Sequence, residues 1–132
     1  MRSSIIVLTS LLLISCNDNS SEEIQCPLII VPVYIPPVTV NFFDENKIPL
    51  NVCDAIVTID QDENNYHETL YGSSYGDCTT KFSLSGGYYD LMPHDVLVEK
   101  AGYQFQQFKD IVPVKTQCGY ESFKLKVYLE VD

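Results

Sequence analysis

The sequence predicts an all-β fold, a seven-stranded antiparallel β-sandwich, and three observations carry that reading. Apolar residues recur at every second position from Val38 onward, turn-forming stretches separate the alternating runs, and no segment sustains a 3.6-residue period. In the first run Val38, Val40 and Phe42 alternate with Thr39 and Asn41, and Asp44-Glu45-Asn46 ends it. Ala55, Val57 and Ile59 then alternate with Ile56, Thr58 and Asp60, up to the polar stretch from Asp60 to Asn65. A third strand fits before the turn at Gly72 to Asp77, and in a fourth Phe82 and Leu84 flank Ser83 before Gly86-Gly87. Val96 and Val98 flank Leu97 in the next clear run. The last stretch, after Gln117-Cys118-Gly119, is the cleanest. Phe123, Leu125, Val127, Leu129 and Val131 point one way, with Lys124, Lys126, Tyr128 and Glu130 opposite. Once buried, each of those five contributes about 1.5–3 kcal/mol, which predicts a central strand.

At 132 residues the chain suits one domain and has no room for a second core. Its apolar content of 45% is too high for a disordered polypeptide. A formal net charge of −10 excludes nucleic acid as a partner, because phosphate backbones need a basic face.

The start of the chain reads as an address. Arg2 supplies a positive charge, and Ile5 to Ile14 is an apolar run broken only by Thr9 and Ser10. Such a run falls well short of the roughly twenty residues that a membrane-spanning helix needs. It fits the apolar region of a secretory signal peptide. The tetrad Leu13-Ile14-Ser15-Cys16 resembles the lipobox of bacterial lipoproteins. That resemblance implies cleavage before Cys16, acylation of its sulfur and of the new amino terminus, and a membrane partner reached through the lipid anchor. Residues 1–15 are then a signal peptide, 16–25 a lipidated cysteine with a flexible tether, and 26–132 the sandwich with its Pro-rich lead-in. The tether carries Asp18, Glu22 and Glu23 among Asn and Ser, and cannot bury enough surface to order itself. An acidic cluster just after the lipidated cysteine also resembles the surface-export signal of Bacteroidota lipoproteins, which points to the outer membrane.

With Cys16 assigned to lipid, Cys26, Cys53, Cys78 and Cys118 remain. Four thiols in an exported chain imply two disulfides, with three connectivities open. No Cys-x-x-Cys pair and no histidine at ligand spacing accompanies them, so a zinc site is not expected, nor is any cofactor.

The order of segments resembles the carboxypeptidase regulatory-like domain, a transthyretin-like sandwich common in exported bacterial proteins. The residues that carry this are Val38 to Phe43 leading to Pro49-Leu50, Cys53-Asp54-Ala55-Ile56-Val57-Thr58-Ile59-Asp60, Lys81-Phe82-Ser83-Leu84-Ser85-Gly86, and Val96 to Tyr103 ending in Ala101-Gly102-Tyr103. The resemblance spans Val38 to Val131. His94 departs from it, standing where an aromatic usually opens the strand, and Tyr88 to Pro93 lengthens the loop before it. The resemblance implies an accessory module without peptidase residues. If seven strands alternate in direction, Cys53 and Cys78 fall at one end and Cys26 and Cys118 at the other. Parity therefore favours Cys53–Cys78 and Cys26–Cys118, worth roughly 3.5 and 4.6 kcal/mol in the loop-entropy model.

Several clusters could carry chemistry. Asp60, Asp62 and Asn64 offer oxygen ligands at alternate positions, but Asn65 and Tyr71 stand where an EF-hand loop needs Gly and Glu. The stretch reads as a solvated acidic turn, with weak calcium binding as the minor alternative. His67 and His94 read as surface or loop histidines, since no nucleophile motif accompanies them; a small hydrolase centred on either is the remotest reading. Tyr66, Tyr71, Tyr75, Tyr88 and Tyr89, with Tyr120, lie in or beside loops, where aromatics stack on sugars or anchor interfaces. Leu28, Ile29, Ile30, Val33, Tyr34 and Ile35 form an apolar strip that either packs along an edge strand or meets a partner. The expected function is a non-catalytic binding or structural module of the bacterial envelope serving protein interaction or adhesion, with carbohydrate binding through the tyrosines as the alternative.

Overall fold

A computed structural model describes residues 25–26 and 34–132. The signal peptide, Cys16, the tether up to residue 24 and the apolar strip from Leu28 to Val33 lie outside the described residues.

Two sheets pack face to face. The smaller places β4 (Ser83–Gly86), β1 (Val38–Asp44) and β9 (Phe123–Leu129) side by side in that order. The larger runs β3 (Tyr66–Tyr71), β2 (Ala55–Gln61), β5 (His94–Lys100), β6 (Gln106–Ile111). Alternation along each strand sends Val38, Val40 and Phe42 inward from one sheet and Ala55, Val57 and Ile59 inward from the other. Leu84, Val96, Val98, Val127 and Leu129 join them in the core between the sheets, with Val52, Leu70, Ile111 and Leu125. Among the described residues this is an all-β sandwich.

Among the described residues the two sheets hold seven strands, and two more lie outside them. The extra pair is a small separate hairpin, β7 (Val114–Thr116) and β8 (Gly119–Glu121). Strands of three residues are too short to show an alternation, so the sequence pattern passes over them. The sandwich is also not wholly antiparallel, because β1 and β9 run parallel from Val38↔Phe123 to Asp44↔Leu129. This follows from parity. Among the strands of the two sheets β1 is first and β9 seventh, so alternation gives them the same direction, and adjacency makes the pair parallel.

Three further expectations are corrected. β9 is an edge strand and β1 the central one of its sheet. Val131 leaves the core and is 66% exposed, paired only through an isolated bridge to Tyr103. Phe82 also stays exposed while Leu84 turns inward, because β4 starts only at Ser83.

Disulfides join Cys53 to Cys78 and Cys26 to Cys118, with Cα separations of 5.0 and 5.2 Å. This is the pairing that parity favours. The first bridge ties the chain before β2 to a 3-10 turn, Cys78–Thr80, whose start Asp77 caps by accepting from the Thr79 amide. The second fixes Cys26 to the turn of the β7–β8 hairpin. Two disulfides are the mark of an oxidising, extracytoplasmic setting. No helix among the described residues is long and apolar enough to cross a membrane.

Candidate functional site

One end of the sandwich gathers most of the side chains capable of recognition. β1, β3, β5 and β9 start there, β2, β4 and β6 finish there, and the β7–β8 hairpin lies beyond Ile111, the partner of His94. Tyr66 at the start of β3 meets Tyr88 edge-on, with ring centroids 5.4 Å apart, and Tyr88 stacks on Tyr89 at 5.2 Å. Tyr34 and Tyr120 join them from distant parts of the chain. The Tyr34 hydroxyl donates to the Gly87 carbonyl at 2.6 Å, and the Tyr120 hydroxyl to the Ile35 carbonyl at 2.8 Å.

Polar groups hold this aromatic end in place from beneath. Glu68 accepts from the Tyr66 hydroxyl at 2.6 Å and from the Gly87 amide at 2.8 Å. Gly87 has φ +110°, and a Cβ there would sit 3.3 Å from both Pro37 and the His94 ring, so only glycine lets the chain turn this close. Asp90 accepts from the Gln61 amide, the Asn64 amide and the Met92 N–H. Burial pushes the Tyr34, Tyr66 and Tyr120 phenols above the usual tyrosine value. The hydrogen bond to Glu68 adds to this at Tyr66, the Glu68 charge at Tyr34 and the Asp90 charge at Tyr120.

His94 corrects the surface assignment made from sequence. Its ring is fully buried at the head of β5, in the place of the aromatic that the family resemblance leads one to expect. Nε2 lies 3.1 Å from the Tyr88 amide nitrogen and 3.0 Å from the Tyr88 carbonyl oxygen, while Nδ1 has no partner. His67 is on the surface, on β3 rather than in a loop, with Nδ1 2.5 Å from an Asp60 carboxylate oxygen.

The remaining candidates are dispersed. Tyr71 and Tyr75 are exposed at the opposite end, beside the turn that follows β3, and do not join the other tyrosines. Asp60 and Asp62 line one small pocket with Glu63, Asp95 and Asp110, but Asp60 is paired with His67 and Asn64 is not part of it, its amide donating to Gln61 and Asp90. Among the described residues no group of three or more His, Cys, Asp or Glu side chains is placed to hold a metal ion.

The end that carries Tyr71 also has an open groove of about 780 Å³, lined by Asp54, Ile56, Glu99, Lys100, Tyr103 and Phe105, among others. Phe105 is 69% exposed. The Lys100 ammonium donates to the Cys53 carbonyl, and burial holds its pKa below the usual lysine value against the opposing effect of Asp54. Sequence reasoning missed this groove and the roles of Gln61, Glu68 and Asp90. Phe105, an aromatic between Gln104 and Gln106 just after Gly102-Tyr103, was the one available signal. Compared with known proteins, the chain finds no match among family models, curated proteins or solved structures.

Proposed function

We propose that this chain is a non-catalytic, lipid-anchored binding module of the bacterial envelope, built on a carboxypeptidase regulatory-like, transthyretin-like sandwich and serving protein interaction. The observation that carries this reading is the Cys26–Cys118 bridge. It ties the segment next to the lipidation tetrad to one end of the sandwich. The groove around Phe105 is then presented at the other end, away from the anchor. An exposed aromatic among mixed charges is the composition of a protein-docking surface, in which the ring supplies contact area and the charges supply register.

Photocrosslinking tests the reading. A photoreactive amino acid in place of Phe105, introduced into the full chain in cells, should give a discrete protein adduct, and the same group in place of Tyr89 should not. Phe105→Ala should weaken capture of that partner without changing the melt. Absence of any adduct at 105, with binding on a glycan array that Tyr89→Ala abolishes, would move the function to sugars.

A further inference from the structure

We infer that the tyrosine-rich end rests on a lipid surface, its phenols at headgroup depth and the tip Leu91-Met92 pointing towards the acyl boundary. This rests on the lipid-anchored reading above and adds to it the face on which the domain sits.

The first support is where the outlying chain ends. Cys26 is bonded to Cys118 in the hairpin turn, at the same end as Tyr34, Tyr66, Tyr88, Tyr89 and Tyr120. Ten peptide steps from Cys16 to Cys26 reach at most about 33–36 Å. An acyl anchor on Cys16 therefore keeps this end within that reach of the bilayer.

The second is composition. Tyr89 and Tyr34 are 63% and 57% exposed, and Ile35, Leu91, Met92 and Val114 are exposed around them. Tyrosines with an apolar body and a polar tip, set among aliphatic side chains, match the membrane–water boundary.

The third is charge. Glu68 and Asp90 are occupied by donors of the protein itself, two on Glu68 and three on Asp90, whereas Asp62, Glu63 and Asp110 stay exposed at the same end. The net acidic chain favours zwitterionic over anionic lipid.

The chain has no tryptophan, so single substitutions report depth cleanly. The full chain, expressed so that acylation proceeds, is reconstituted into phosphatidylcholine and phosphatidylethanolamine vesicles containing phosphatidylcholine brominated along its acyl chains. Tyr89→Trp should be quenched and emit further to the blue, whereas Tyr75→Trp at the opposite end should do neither. Mass spectrometry of the amino-terminal peptide reports acylation of Cys16 separately. An acylated chain with no quenching at 89, or equal quenching at both positions, overturns the inference and leaves the anchor standing. An unmodified Cys16 overturns both. A blue shift at 89 without quenching, growing with protein concentration, assigns the face to a second copy of the chain instead.

Discussion

His94 sets a fully buried ring against the Tyr88 backbone while leaving Nδ1 unpartnered. A buried polar atom without a partner costs stability, while the ring volume around it contributes packing. His94→Ala should therefore destabilise by about 2–5 kcal/mol in urea unfolding. His94→Phe should recover part of that loss, since it keeps the ring and removes the orphan nitrogen but also strips Nε2 from the Tyr88 backbone. The phenols make a second residue-scale prediction. Tyr34, Tyr66 and Tyr120 hold their protons more tightly folded than unfolded, so above the ordinary tyrosine value of 10.0 the unfolded chain loses protons first. Their contribution is complete below that pH and is lost as pH rises through the folded values. Urea melts from pH 8 to 11 should show a fall confined to the alkaline side, and Tyr66→Phe should reduce its steepness.

At the scale of elements, alternation revealed which face of a strand is buried but not which strands are neighbours. Val57 and Ile59 were legible as core because period two and burial coincide on β2. The edge position of β9 was not legible, since its three buried residues face the same core that a central strand would face. What decides its place is the pairing with β1 on one side only, a long-range choice that no local pattern encodes. The difference is measurable. Phe42→Ala empties the middle of the core and should cost about 3–5 kcal/mol. Val131→Ala and Phe82→Ala, both outside it, should each stay within about 0.5 kcal/mol of the parent in the same urea titration.

Across the whole molecule, cysteine parity was legible because it needs only the order and number of turns, whereas the tyrosine cluster needs three dimensions. Tyr34, Tyr66, Tyr88 and Tyr120 meet only when the ends of both sheets and the hairpin come together, and Tyr71, five residues after Tyr66, lands at the far end of β3. The two bridges also differ in access. Cys26 and Cys118 are exposed, while Cys78 packs against the core. Graded dithiothreitol followed by alkylation and peptide mass spectrometry should label Cys26 and Cys118 before Cys53 and Cys78, with the far-ultraviolet β signal retained at the first stage. The outer bridge has a mechanical consequence too. Tension applied between residue 25 and the carboxyl end crosses directly from sulfur to sulfur, so the six strands from β1 to β6, with β7, sit inside a covalent ring that carries load without unravelling. The slack such a pull can draw out is confined to residues 119–132, at most about 46–50 Å, and the central strand of the smaller sheet is loaded only through its ladder with β9.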